Sequence, residues 1–158
     1  MDMALLYKAD SLTIDAALKR GLLLTDDTLA TAVLISLFTD KLAGPDDELP
    51  ATEDWRRGWW GDCLTNKPGD KIGSHFWLLL RCKQTEVTRL RALQYAREAF
   101  AWMLEDGVAK AVDVEAAWME PATGVLALGI VCTRPDGSAE RYYFGLNIEK
   151  GGAVYYAV

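Results

Sequence analysis

The chain of 158 residues is poor in histidine, with one, and in cysteine, with Cys63, Cys82 and Cys132. Protein zinc sites need several histidines or a cysteine cluster, and three cysteines without a C-x-x-C spacing do not build a disulfide framework. The thiols are therefore predicted to be reduced and mostly buried, as in a protein that folds in a cytoplasm. No apolar run is long enough to cross a bilayer. The first residues lack a basic segment before an apolar one, so we expect no signal peptide.

Positive charge is also in short supply. The 17 Lys and Arg residues are outnumbered by 23 Asp and Glu residues, which gives a formal net charge of −6. That charge disfavours non-specific binding to DNA or to an anionic membrane. An apolar fraction of 51% and a charged fraction of 25% are typical of a globular protein. We expect a single domain over residues 1–158, with neither nucleic acid nor membrane as a partner.

Two helices are predicted. Thr25-Asp26-Asp27 supplies an N-cap and acidic first-turn residues for a helix from about Asp27 to Leu42, which Gly44-Pro45 would end. The longer helix runs from about Thr85 to Asp106, and Gly107 is a natural stop. Helical spacing places its apolar face on Val87, Leu90, Leu93, Phe100, Met103 and Leu104.

After the second helix the apolar period changes to two, which predicts strands over residues 112–118, 125–133 and 141–148 and a fourth over 153–158. Arg134-Pro135-Asp136-Gly137 is a strong turn signal between two of them. Residues 1–24 are interpreted as short strands or loops. The predicted fold is therefore α+β, an antiparallel β-meander packed against one long amphipathic helix, with a second helix in the N-terminal third.

A long segment rich in glycine, proline and tryptophan, residues 44–75, separates the two helices. It contains Arg56-Arg57-Gly58-Trp59-Trp60-Gly61-Asp62, which we call the aromatic turn. One interpretation is that the two indoles fill a gap between helix and sheet, with Asp62 neutralising Arg57. The other is an interface hot spot, for which Trp and Arg are the most enriched residue types. Both hold if one tryptophan faces inward and the other outward.

Candidate catalytic groups are few. His75 lies beside aromatic residues and near no recognisable nucleophile motif, so packing is the favoured interpretation. Residues 69–74 contain glycines, Lys71 and Ser74 but lack phosphate-loop spacing. The acidic residues at 46–48, 53 and 54 lack calcium-loop spacing, and a glycosidase pair is defined by distance rather than sequence. We predict no enzyme, no catalytic residue, no cofactor and no metal; a cell-wall hydrolase using loop carboxylates is the alternative.

Several fragments together resemble the small baseplate protein of Mu-like contractile-tail phages. They are the segment 32–40, the aromatic turn, Gly73-Ser74 followed by Trp77-Leu78-Leu79 and by residues 81–83, and residues 105–109 at the end of the long helix. Their order and spacing fit over nearly the whole chain. The aromatic turn is the most specific of them, because tryptophan pairs are rare.

The resemblance implies a relative of the baseplate wedge proteins that are called sheath initiators. It implies a structural role in the inner wedge around the tail hub, nucleation of the sheath, assembly in the host cytoplasm and a place in the virion. The implied partners are other wedge and hub proteins and the sheath, with no small-molecule substrate. The wider group has Glu-Pro-Arg after the long helix, and here Glu105 is kept while Asp106-Gly107 replaces Pro-Arg. The expected interface residues are Arg56, Arg57, Trp59, Trp60, Asp62, Trp77 and Glu105.

The resemblance also suggests how the sheet would act. Sheath subunits can assemble by adding a strand to a neighbour's sheet edge, and the apolar segment 153–156 could supply or receive such pairing. We expect deletion of residues 151–158 to abolish assembly without unfolding the domain. A free adaptor that binds one partner in solution is a third class of function, which co-purification with neighbouring tail proteins would separate from the first.

Overall fold

The computed structural model of the protein describes residues 2–8, 13–50, 54–66, 69–120, 124–148 and 153–157. Its first part forms six short strands, which pair as β1 with β6, β2 with β3 and β4 with β5, all antiparallel. The six strands are β1 (Asp2–Met3), β2 (Leu5–Lys8), β3 (Thr13–Ala16), β4 (Leu18–Lys19), β5 (Leu22–Leu23) and β6 (Thr25–Asp26). The prediction of short strands or loops over residues 1–24 is confirmed for the described part.

The three ladders meet at a three-way junction of backbone hydrogen bonds. The N–H of Ala4 donates to the carbonyl of Leu24, that of Ala17 to Ala4, and that of Leu24 to Ala17, each at 2.8 Å. Ala17 is 1% exposed, so the junction is closed to solvent at that point. The backbone groups thereby satisfy one another, as buried N–H and C=O groups must.

The first helix, α1 (Ala30–Phe38), is shorter at both ends than the predicted span of 27–42. Its start is delayed because residues 25 and 26 form β6, and the Asp26 carboxylate accepts hydrogen bonds from the N–H groups of Thr28 and Thr31. Its end comes early because the carbonyl of Thr39 and the N–H of Lys41 pair outside the helix. Thr39 and Lys41 exchange backbone hydrogen bonds with Ser74, far along the chain.

The second helix, α2 (Glu86–Glu105), confirms the predicted span, and the Thr85 hydroxyl caps it by accepting from the N–H of Thr88. The predicted apolar face is wrong in part. Val87, Leu90 and Leu104 are 61%, 51% and 48% exposed. The buried face consists of Thr88, Ala92, Ala96, Ala99, Phe100 and Met103. Alanines on this face let the helix axis lie close to its neighbours, so small side chains replace the expected large ones.

The sheet has the strand order β10–β9–β8–β7 and is antiparallel throughout, which confirms the α+β meander. Its strands are β7 (Ala111–Trp118), β8 (Val125–Thr133), β9 (Ala139–Asn147) and β10 (Ala153–Ala157). Alternate residues of β8, namely Leu126, Leu128, Ile130 and Cys132, are at most 1% exposed and share one core with α1 and α2. Phe38 at the end of α1 meets Phe144 of β9 edge-on, with ring centroids 5.2 Å apart.

Glu140 on β9 ties the start of α1 to the sheet. Its carboxylate accepts hydrogen bonds from the N–H of Leu29 (2.8 Å), the guanidinium of Arg134 (2.7 Å) and the hydroxyl of Tyr142. Burial opposes ionisation of this group, but the three hydrogen bonds outweigh it and hold the pKa of Glu140 below its ordinary value. Burial and the same contact raise the pKa of the Tyr142 hydroxyl.

The cysteines differ from one another more than the sequence predicts. Cys132 is buried and Cys82 half-buried, as expected, but Cys63 is exposed. Burial, with the nearby Glu140 carboxylate, raises the pKa of the Cys132 thiol to about 11. No helix in the described part of the chain is both long and apolar enough to cross a membrane.

Candidate functional site: the aromatic turn

Both indoles of the aromatic turn lie at the surface. Trp60 begins a short 3₁₀ helix (Trp60–Cys63) and is 73% exposed, while Trp59 immediately before it is 42% exposed. Their ring centroids are 5.6 Å apart. Trp60 points away from the domain, whereas Trp59 lies half against it, so neither ring is part of the buried core clusters.

Contacts with Asp40 and Trp77, both outside the turn, help to hold Arg57. Its guanidinium lies 2.8 Å from a carboxylate oxygen of Asp40 and 4.8 Å above the ring of Trp77. The expected pairing of Arg57 with Asp62 is therefore wrong. Asp40 is close in space because α1 ends just before it. The ion pair and the cation–π contact fix the backbone of the turn, which has a positive φ of 47° at Arg57.

Trp77 supports the turn from below. Its side chain is 3% exposed, and its indole N–H donates to the carbonyl of Lys41 at 2.8 Å. A second, smaller cluster forms around it from Ala43, Leu78 and neighbouring side chains. The structure therefore puts this expected interface residue in the core, where its contribution to any surface is indirect, through the position of Arg57.

Arg56 closes the other side of the loop. Its guanidinium donates to the carbonyl oxygens of Gly44 and Pro45, and its own carbonyl accepts from the N–H of Ala43. Both arginines of the aromatic turn are thus occupied in holding the turn to residues 40–45. Their side chains are half-buried rather than extended into solvent.

Two glycines allow close approaches, one to the ring of Trp59 and one to the backbone of Thr39. A Cβ on Gly61 would lie 2.2 Å from the ring of Trp59, so only glycine lets the indole fold over the turn. Gly73 has a φ of +98°, and a Cβ there would lie 2.2 Å from the carbonyl oxygen of Thr39. Next to it the buried Ser74 donates its hydroxyl to the carbonyl of Leu37 at 2.5 Å. These contacts constrain the aromatic turn and the segment at residues 73–74.

Asp62 and Glu105 are brought to neighbouring surfaces. One oxygen of Asp62 accepts from the N–H of Ile72 at 3.1 Å, while the other is buried and has no hydrogen-bond partner among the described residues. Asp62 and Trp59 line a groove of about 330 Å³ together with Trp102 of α2. Glu105, the exposed last residue of α2, lines an adjacent groove of about 280 Å³ that also includes Trp102.

Trp102 is the residue that the sequence analysis missed. It is 37% exposed, and its indole N–H donates to the hydroxyl of Ser36 on α1 at 2.9 Å. Its position, three residues before Glu105 and off the predicted apolar face of α2, was the signal that could have marked it. A large aromatic residue on the outer side of a helix needs something to lie against.

His75 has a packing role. Its Nε2 is 3.1 Å from the carbonyl of Leu42, its Nδ1 is 3.8 Å from the Glu98 carboxylate, and its ring lies edge-on to Tyr95. Burial, followed by the charge of Asp47, raises the pKa of the Tyr95 hydroxyl. The neighbouring Ser74 hydroxyl already donates to a backbone carbonyl, so the pair does not form a nucleophile and base. Within the described residues, no group of three or more His, Cys, Asp or Glu side chains could hold a metal ion.

Comparison with known proteins decides the family. The sequence profile of phage protein GP46 matches residues 29–139, which run from the start of α1 into β9 and include the aromatic turn. The chain belongs to this family. The family resemblance drawn from the sequence fragments is thereby confirmed.

Two relatives illustrate the similarity. The chain is 48% identical over 122 residues to the baseplate protein gp46 of Escherichia phage Mu, covering 77% of this chain and 81% of the relative. It is 40% identical over 134 residues to the Mu-like prophage FluMu protein gp46 of Haemophilus influenzae, covering 84% and 88%. No solved structure shows a significant match.

Proposed function

We propose that this protein is a structural component of a contractile phage-tail baseplate and that the aromatic turn is one of its contact surfaces. Membership of the GP46 family, with a relative named as a baseplate protein of phage Mu, supports the location in the virion. The observation that carries the contact surface is the exposure of Trp60 and Trp59 on a turn that the rest of the chain holds rigidly. The role is passive and needs no catalytic residue.

The energetic reason is preorganisation. Burying an exposed tryptophan at an interface contributes about 2 kcal/mol or more when its surroundings are dry. Much of that gain is lost when a loop must be ordered first. Here the contacts of Arg57 and Gly61 set the shape of the aromatic turn before any partner arrives, so little ordering of the turn is required.

The finer role follows the resemblance to sheath initiators. We infer a single domain over residues 1–158 in the inner wedge, in contact with other wedge and hub proteins and with the sheath. The support in the structure is the edge strand β10, which pairs with β9 on one side and with no other described strand. The unpaired edge of such a strand offers N–H and C=O groups to a strand from a neighbouring subunit.

The test is incorporation into a complex co-produced from the neighbouring tail genes. We expect Trp60→Ala to reduce incorporation more than tenfold, in line with a hot-spot loss of about 2 kcal/mol, and to leave thermal stability unchanged. Trp59→Ala should lower both incorporation and thermal stability, because this ring lies half against the domain. The control is Leu90→Ala, which removes a side chain that is 51% exposed on α2.

Deletion of residues 151–158 tests the edge strand separately, and we expect it to prevent assembly while the remaining domain stays folded. Normal incorporation of both tryptophan variants would refute the contact surface. A turbidity assay on peptidoglycan addresses the hydrolase alternative, and clearing by the purified chain would refute the passive role.

A further inference from the structure

Two grooves beside the aromatic turn adjoin one another. They share the lining residues Asp70, Lys71, Trp102 and Asp106, and their volumes are about 330 and 280 Å³. One reaches Trp59 and Asp62, and the other reaches Glu105. We call the combined feature the acidic groove.

Negative charge dominates the acidic groove. Among the described residues that line it, the carboxylates are Asp62, Asp70, Glu98, Glu105 and Asp106, and the cations are Lys41 and Lys71. Glu98 already accepts from Gln94 and faces His75. An occupant of this surface is therefore expected to bring positive charge.

The end of α2 adds to the negative potential. Its last turn contains no basic residue, and the helix ends on Glu105 followed by Asp106 as the C-cap. A helix C-terminus carries partial negative charge and is normally stabilised by cations. The carboxylates of Glu105 and Asp106 repel this partial charge, and no basic residue in the last turn of α2 offsets the repulsion.

Two indoles line the same groove. Trp102 is fixed by its hydrogen bond to Ser36, and Trp59 is fixed by its fold over Gly61. Asp62 lines the same groove as Trp59, and one of its oxygens is buried with no hydrogen-bond partner in the described part of the chain. Flat aromatic faces beside carboxylates match the guanidinium group, which stacks on rings and donates in a planar fork.

We propose that the acidic groove receives an arginine side chain from a partner protein in the baseplate, an inference that rests on the proposed function. The guanidinium stacks against Trp102 or Trp59 and donates to the carboxylates of Asp106 and Glu105. Nucleic acid is not the occupant, because phosphates would be repelled by the excess of carboxylates. The aromatic turn then supplies apolar contact area and the acidic groove supplies the charge that sets orientation.

The first test uses the isotope-labelled full chain and a blocked pentapeptide, acetyl-Gly-Ser-Arg-Ser-Gly-amide. Its citrulline analogue keeps the shape of the side chain and removes the charge. We expect the arginine peptide, at millimolar concentrations, to shift the indole N–H signals of Trp59 and Trp102 in a saturable way. The citrulline and lysine analogues should bind at least about fivefold more weakly, because a charged, planar fork is the group recognised.

The double variant Glu105→Gln/Asp106→Asn should weaken arginine-peptide binding by about fivefold or more. The matched control is Asp113→Asn, the same chemical change at an exposed position of β7 outside the groove. An absence of shifts, equal shifts with citrulline or lysine, or shifts confined to other signals would each overturn the proposal.

The co-production assay separates this inference from the proposed function. We expect the double variant to lose incorporation, as Trp60→Ala does. Normal incorporation of the double variant alongside failure of Trp60→Ala would overturn the arginine site and leave the contact surface standing. Normal incorporation of both would overturn the contact surface as well, whereas failure of the native chain to enter the complex would overturn the proposed baseplate role.

Discussion

The aromatic turn and the hairpin formed by β4 and β5 both expose large apolar side chains, but they are supported in different ways. In the hairpin, Leu18, Leu22 and Leu23 are 64%, 74% and 58% exposed, comparable to the exposure of Trp60. The turn is braced by side chains from distant parts of the chain, such as Asp40 and Trp77. The hairpin adjoins the rest of the N-terminal strands through the backbone junction at its base.

The difference teaches that exposure alone does not define a binding anchor. A two-stranded hairpin without a packed face is only marginally stable in water. It would have to become ordered against a partner, which reduces the affinity gained from its leucines. The aromatic turn is already ordered by contacts inside its own domain, so binding does not have to order it. Support by long-range contacts is therefore the property that separates the two surfaces.

Removing the support of the turn should have the largest effect. In Gly73→Ala the new Cβ would lie 2.2 Å from the carbonyl oxygen of Thr39, at a φ of +98° that alanine rarely adopts. We expect the free energy of unfolding to fall by about 3 kcal/mol or more, measured by urea denaturation.

Gly69→Ala is the matched control, because Gly69 has a similar φ of +83° but no heavy atom within 4 Å of the new Cβ. It should lose about 1 kcal/mol from backbone strain alone. Equal losses in the two variants would mean that the contact between residues 39 and 73 does not hold the loop.

An intermediate effect is expected at the joint between α1 and the sheet. Glu140→Gln removes the charge that accepts from Leu29, Arg134 and Tyr142, and should cost about 2 kcal/mol at neutral pH. Because the folded-state pKa of Glu140 is lowered, its stabilising effect is present above the ordinary value of 4.5 and is lost as pH falls through the folded-state pKa.

The free energies of unfolding of Glu140→Gln and the native chain should therefore converge at acidic pH. Glu86→Gln is the comparison, because the pKa of Glu86 is also lowered, by Arg89, but that pair is exposed to solvent and screened. A constant difference between Glu140→Gln and the native chain from neutral to acidic pH would contradict the linkage.

The smallest effect is expected in the hairpin. Leu22→Ser replaces a side chain that is 74% exposed, so the free energy of unfolding of the isolated chain should change by no more than about 0.5 kcal/mol. Leu128→Ala, at a position that is 1% exposed, should cost about 3 kcal/mol in the same assay. A loss above about 1 kcal/mol for Leu22→Ser would show that the hairpin packs against the domain in solution, like the turn.

The sequence predicts local elements well where their signals are local. The α2 span follows from the Thr85 cap and Gly107, and the meander follows from alternation and from the turn at residues 134–137. The early end of α1 was not predictable, because the backbone partner of Thr39 and Lys41 is Ser74. The buried face of α2 was missed because its alanines carry little hydrophobic signal, although they pack closely.

The candidate site shows the same difference between features with local sequence signals and features that depend on distant residues. The existence of the turn could be predicted from its residue types and glycines, but whether its tryptophans face the core or the surface could not. The partner of Arg57 could not, because proximity in sequence suggested Asp62 while the fold supplies Asp40. The position of Trp102 off the apolar face of α2 could be read from the sequence, but the groove that it lines could not, because the fold brings the loop beside α2.

The exposed thiol of Cys63, in the short helix that begins at Trp60, is a natural attachment point for a spectroscopic label. Cys132 keeps its proton at neutral pH, since its pKa is raised to about 11, and is shielded from reagents. A small thiol-reactive fluorophore would therefore attach preferentially beside the tryptophan pair, without any engineered residue. The emission of this fluorophore would report when a partner covers the aromatic turn and excludes water from it during tail assembly.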